Sequence, residues 1–183
     1  MSIIPFPSNA NWQLFTEEQN NHWGRAKPDD IILVLEFVKF VFEKYIDKSN
    51  INNKPLKLQY SNDGPICYRE LGLIQLKAKN ENWAEFAYQF AHELCHFAII
   101  APVYDKIRWF EETICETASL FILLALEHIS NDKNNSPYPQ LHDYAPCFTE
   151  YIDNMLNLLL YPEPTPLNIK EYTIICDMIL EPG

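Results

Sequence analysis

Three features of the sequence predict an α+β fold, a small sheet followed by long helices. Short segments with period-two alternation cluster within 56–77, between turn-forming Asn, Pro and Gly residues. Apolar residues recur at helical spacing over 31–46, 83–101 and 109–129. The chain has 183 residues, of which 48% are hydrophobic and 14% aromatic. That is enough to build one compact domain around a real core. The expected layout is a single domain, with a helix and a small mixed sheet in 1–81 and a mainly helical part in 82–183.

Taken in order, residues 1–28 are rich in Asn and Pro and read as irregular, with Trp12 and Trp23 as packing anchors. Asp29 or Asp30 can cap a helix running to about Ile46. Its apolar positions 31, 34, 35, 38, 41, 42 and 45 form one stripe, and 32, 33, 37 and 40 widen it, so the helix should be buried on most sides. Residues 47–55 read as a loop. Leu56–Tyr60 alternates as a half-buried strand does, Asn62-Asp63-Gly64-Pro65 is a turn, and Ile66–Arg69 and Gly72–Lys77 read as further strands, three in all. Asn82 and Glu85 resemble a capping pair opening a helix that Pro102 ends. After a loop, Trp109–Ile129 reads as one long helix, with 110, 114, 118, 121, 122, 125 and 129 expected to pack inward. Beyond the polar 131–140 loop come a helix over 146–160, a Pro-rich connector and a last helix over about 168–180.

Composition narrows the function. The net charge is −11, from 25 acidic and 14 basic residues, which argues against a phosphate-backbone partner. No basic n-region with an apolar run opens the chain, and the apolar 31–46 segment is too short and too charged to span a bilayer. Five widely spaced cysteines with no CxxC read as reduced thiols, so a cytoplasmic protein is expected. The four glycines form no nucleotide-binding loop.

The chemistry concentrates in His92-Glu93-Leu94-Cys95-His96. On a helix, His92 and His96 lie one turn apart and can share one metal ion, with Glu93 beside it to act on a bound water. On this helix 85, 89, 92 and 96 make a polar stripe opposite the apolar one, so the histidines should face a cleft. A third ligand is expected from Glu111, Glu112 or Glu116 on the next helix. Glu111 and Glu112 point about 100° apart, so at most one of those two should face the metal. Glu112 and Glu116 are one turn apart and both can, one as ligand and the other as hydrogen-bond partner of a ligand histidine. Zinc suits two imidazoles and a carboxylate. Cys95 and Cys115 read as buried small hydrophobes rather than ligands.

These residues, with Trp109-Phe110-Glu111-Glu112-Thr113-Ile114-Cys115-Glu116, resemble the gluzincin clan of zinc peptidases over 71–121. The small size is similar to minigluzincins, and the catalytic core to thermolysin-like enzymes. In aminopeptidases of the clan the ligand follows a tryptophan by three residues, as Glu112 follows Trp109. In thermolysin-like enzymes an aspartate four positions after the ligand orients a histidine, and Glu116 repeats that offset with Glu in place of Asp. The twenty-residue interval from His96 to Glu116 also matches the thermolysin-like one, but position 120 would then be acidic and is Leu120. The resemblance therefore implies a zincin-like fold, one Zn²⁺ on His92, His96 and Glu112, and Glu116 as histidine-orienting partner or alternative ligand.

It further implies a zinc metallopeptidase, with an endopeptidase favoured because no GxMEN-like amine-binding motif occurs. Glu93 would be general base and then general acid. His142 is the expected oxyanion donor, ahead of Tyr138 and Tyr144. A peptide or protein substrate would lie along the strand Leu73–Lys77 as an added strand. Two alternatives stand beside this reading: a catalytically silent zinc-binding protein acting through a partner, and an effector-like protease with one target.

Overall fold

The computed structural model describes residues 2–16, 22–45, 49–99, 107–132 and 138–160. The fold is α+β. Met1–Ile152 is one compact unit and Asp153–Gly183 another, and the sheet and the histidine helix share the first. The expected 168–180 helix and Pro102 lie outside the described residues.

Two strands precede the first helix. β1 (Ser2–Phe6) and β2 (Asn9–Thr16) form an antiparallel hairpin where an irregular segment was expected. The Asn and Pro residues there suggested a loop, but Trp12 and Leu14 alternate inward and are fully buried, and the sheet decides over local propensity. α1 (Pro28–Tyr45) follows, with Asp29 and Asp30 in its first turn. Two of its charged residues, Glu36 and Lys39, are buried rather than solvated. Glu36 Oε1 accepts the Ser8 amide at 2.8 Å, and the Lys39 ammonium sits 5.4 Å over the Trp12 ring.

A four-residue helix, α2 (Ser49–Asn52), leads into β3 (Leu56–Tyr60), β4 (Ile66–Tyr68) and β5 (Leu73–Leu76). The five strands lie in the order β1-β2-β3-β5-β4, with β3 parallel to both β2 and β5 and β4 antiparallel to β5. A 3-10 turn over Arg69–Leu71 links β4 to β5, and Gly72 closes it at φ 57°. A Cβ there would come within 2.4 Å of the Pro55 carbonyl oxygen, so the position demands glycine. This order corrects one expectation. Leu73–Lys77 is not a free edge: β5 is paired on both sides, and the Lys77 amide is bonded to Gln89 Oε1 at 2.9 Å. On this side of the sheet the edge strand is β4.

α3 (Trp83–Ala98) lays Phe86, Phe90, Leu94 and Phe97 into the core, where Phe90 meets Trp12 edge to face. Asn82 does not cap the helix through its side chain. Its Nδ2 reaches Glu85 instead, while its carbonyl takes the first helical bond from Phe86. Gln89 joins helix to sheet, accepting from both the Lys77 and Ala78 amides.

α4 (Arg108–Asn131) packs along α3, turned differently from the expectation. Its buried face is Glu111, Cys115, Ser119, Ile122, Leu123, Leu126 and Ser130, whereas Phe110, Ile114 and Phe121 are exposed. Small residues allow close approach to α3, and that rotation carries the helix's carboxylates to the histidines. By length and composition α4 could also cross a bilayer, but its Glu111, Glu112 and Glu116 are engaged with α3 (below), an arrangement a lipid-spanning helix would lose. A 3-10 turn over Pro139–Tyr144 and α5 (Ala145–Leu160), anchored by buried Phe148 and Ile152, close the described chain.

Candidate metal centre

α3 and α4 bring His92, His96 and Glu112 together. The Nε2 atoms of the two histidines are 3.1 Å apart, and Glu112 Oε2 lies 3.3 Å from each. Zinc–ligand bonds of about 2.0–2.1 Å at tetrahedral angles require neighbouring donors about 3.3 Å apart. Three donors thus already have the spacing of three tetrahedral ligands, and the set of two imidazoles and one carboxylate fits zinc chemically.

Each histidine is held from behind by a second carboxylate. Glu111 Oε1 is 2.6 Å from His96 Nδ1, and the same carboxylate is ion-paired with Arg69. Glu116 Oε2 is 3.4 Å from His92 Nδ1, and its other oxygen accepts from the Tyr88 hydroxyl. A carboxylate on Nδ1 places the ring proton there and leaves the Nε2 lone pair for a cation. As the 100° offset predicts, only one of Glu111 and Glu112, Glu112, lies on the Nε2 side of the histidines. Glu111 and Glu112 both reach the histidine pair, from opposite edges of the His96 ring.

Glu93 is 4% exposed and lines the same cleft, of about 680 Å³, with the β4 edge at Ile66 and Cys67 as its opposite wall. Burial pushes its carboxyl up to about 7; the His92 charge and the Cys67 amide partly oppose this, and Glu112 adds to it. In the metal-free protein burial depresses His92 too, but the Glu116 and Glu93 carboxylates outweigh it and raise the imidazole overall. For His96 burial prevails, helped by the His92 and Arg69 charges, and its value is lowered. Four carboxylates around two imidazoles make a site that favours a cation.

A second cluster, His96, Glu111 and Cys115, is a poorer cation site. Glu111 is already paired with Arg69, and a hydrogen bond with Cys95, together with burial, strongly raises the Cys115 thiol, keeping it protonated. Cys95 and Cys115 are both buried, as small hydrophobes are. Cys67, on the cleft wall, is pushed up to about 12 by burial.

His142 is not at the cleft. Its Nδ1 bonds the Ser130 carbonyl at 2.8 Å, eighteen residues beyond Glu112 and so about 27 Å farther along α4. The Pro-containing turn that carries it returns to the C-terminal end of α4, not to its start. Tyr138 packs on Phe37 and Phe40, and Tyr144 on Trp83. Trp109 is 67% exposed and turned from the cleft toward Phe110. Sequence reasoning missed Arg69 in the cleft, gave Tyr88 no bond to Glu116, and weighed Glu111 as a ligand candidate rather than as the partner of His96 Nδ1. Tyr88 lies one turn before His92, a spacing that could have found it. Arg69 comes from a turn after β4 and left no local signal. Compared with known proteins, the chain matches no family model, and no curated protein or solved structure is detectably similar to it.

Proposed function

We propose that the protein is a zinc-dependent metallopeptidase of zincin-like type, related in plan to gluzincins. The observation that carries this reading is the His92–His96–Glu112 donor triangle with the buried Glu93 carboxylate in the same cleft. His92, His96 and Glu112 would hold the ion, with Glu111 and Glu116 orienting the histidines. Zinc, when bound, supplies Lewis acidity to a carbonyl oxygen and to a water. Glu93 supplies the proton traffic: it accepts a proton from the attacking water and returns it to the departing amine. Its burial keeps bulk water from competing for that proton. The Cys67 amide fixes one side of the carboxylate.

An extended peptide would pair with β4 at the sheet edge, beside Glu93, in place of the Leu73–Lys77 ladder. A Glu93→Gln variant that keeps one metal per chain and loses cleavage of a peptide library supports this reading. Equal inertness of wild type and variant, with zinc retained in both, would remove the peptidase claim.

One observation favours the second reading, a metal-holding protein that works through a partner. Arg69 and Tyr88, the non-carboxylate donors beside the histidines, are committed to Glu111 and Glu116 rather than aimed at a carbonyl oxygen. The same library experiment separates the two.

A further inference from the structure

Hydrolysis of a peptide bond builds negative charge on a carbonyl oxygen, and the cleft is walled by carboxylates. Glu93, Glu112 and Glu116 all line it, and each repels such an oxyanion unless a donor or a cation stands close. Among the described residues, four side chains besides the histidines bring N–H or O–H donors to the cleft: Arg69, Tyr88, Gln89 and Arg108. Three of them are committed elsewhere. Arg69 is ion-paired with Glu111, and the Tyr88 hydroxyl donates to Glu116. Gln89 Nε2 donates to Glu85 Oε1 at 2.9 Å, while its oxygen accepts from the Lys77 and Ala78 amides.

Arg108 differs. Its side chain is 73% exposed, and its Nε lies 3.7 Å from Glu112 Oε1, too long for a hydrogen bond. The outer guanidinium nitrogens have no partner among the described residues. Glu112 Oε1 is the oxygen that the donor triangle leaves over, since Oε2 is the one facing both histidines. The guanidinium therefore stands beside the ligand carboxylate, at the reacting end of the cleft. Resting on the peptidase reading, we infer that Arg108 is the oxyanion donor of the hydrolysis, its outer N–H groups bonding the scissile carbonyl oxygen as that oxygen becomes an anion. As the water oxygen bonds to the carbonyl carbon, the C=O π pair moves onto the oxygen facing Arg108, and one water proton passes to Glu93. When the C–N bond breaks, the pair returns to C=O and Glu93 gives its proton to the departing nitrogen.

A purely structural role fits Arg108 poorly. A guanidinium beside a cation site opposes metal binding by Coulomb repulsion, and so exposed an i,i+4 ion pair adds little to the helix. What the side chain does offer is a planar fork of N–H donors matched to an anionic oxygen. It stands on the first residue of α4, so it can swing over the cleft without moving the backbone.

The test compares zinc-loaded wild type, Arg108→Ala and Arg108→Lys in three measurements: zinc affinity, kcat and KM on a cleaved peptide, and binding of two probes. One probe is a phosphinic tetra-alanine peptide, whose tetrahedral anion stands in for the hydrated peptide bond. The other is acetohydroxamate, which binds a metal without needing the arginine. Arg108→Ala should hold zinc at least as tightly as wild type. Its kcat should fall about 10²–10³-fold with KM within about threefold. Its affinity for the phosphinic peptide should fall about 100-fold, and for acetohydroxamate by less than about threefold. Arg108→Lys should recover part of both losses, as a cation without the fork. Equal phosphinic affinity in wild type and Arg108→Ala overturns the inference. So does a loss of zinc that matches the loss of phosphinic binding, which would make Arg108 a support for Glu112. Cleavage abolished by Glu93→Gln but kept by Arg108→Ala overturns this role and leaves the peptidase reading standing. A wild type as inert as Glu93→Gln removes that reading and this role together.

Discussion

Replacing Glu111 by Gln isolates the part of the centre that least resembles the expectation. The Glu111 carboxylate lies 2.6 Å from His96 Nδ1, is ion-paired with Arg69 and is 5% exposed. It touches no metal-facing nitrogen. In the Glu111→Gln variant the side-chain amide can turn either its oxygen or its nitrogen toward the imidazole, so it no longer fixes the tautomer that leaves Nε2 free. Loss of such an orienting partner costs about 10–100-fold in metal affinity, or roughly 1.4–2.7 kcal/mol. Glu116→Gln should cost less, because its contact with His92 Nδ1 is 3.4 Å long and its side chain is 42% exposed. Glu112→Gln should cost most, because it removes a donor. The assay is competition for Zn²⁺ against a chromophoric chelator, with metal-free melting curves to show that each variant folds. The expected order of loss is Glu112, then Glu111, then Glu116. If Glu111→Gln binds like wild type, the orienting role is wrong. If Glu116→Gln loses far more metal than Glu112→Gln, the ligand assignment is wrong.

Other expectations follow from the same geometry. Glu93→Gln should leave zinc affinity within a few-fold of wild type and lower peptide cleavage by about 10²–10⁴, read in the same preparation. In the metal-free protein the Glu93 carboxyl is raised from 4.5 to about 7. Its neutral form is therefore the one that folding favours. That stability is fully present below pH 4.5 and is lost as pH rises through 7, by about 3 kcal/mol. Denaturant melts of apo wild type and apo Glu93→Gln should differ in slope against pH over this window, and parallel curves would contradict the burial argument. Leu126→Ala, on the buried face of α4, should destabilise by about 2–5 kcal/mol. Ile114→Ser on the outer face should change monomer stability by less than about 1 kcal/mol. The reverse order would restore the inward packing that the sequence suggested.

Much of this centre was legible because it is local. His92, Glu93 and His96 sit on one helix, and a single helical period decides which way they point. Glu112 could be picked from its neighbours because the partner helix follows closely in sequence. What could not be read depends on chain reversals. Arg69 reaches His96 from a 3-10 turn twenty-seven residues earlier, and no periodicity links the two. The roll of α4 was misjudged because two stripes compete on it: a large apolar one at 110, 114 and 121, and one of small residues at 115 and 119. Hydrophobicity favours the first. Close approach to α3, with Glu111 and Glu112 delivered to the histidines, favours the second. The β1–β2 hairpin was hidden by residues with poor strand propensity whose alternate positions, Trp12 and Leu14, nonetheless fill the core. Strand order is likewise a tertiary property, so the sequence displayed β5 clearly without revealing that β4 covers its edge.

The central claim is that His92, His96 and Glu112 hold a metal ion. Elemental analysis of the purified full chain, dialysed against sub-stoichiometric chelator and compared with a His92→Ala/His96→Ala double variant, tests it most directly. One zinc per wild-type chain and none in the double variant is the expected result. A folded wild-type chain that holds no metal at neutral pH, or a double variant that keeps it, would contradict the claim.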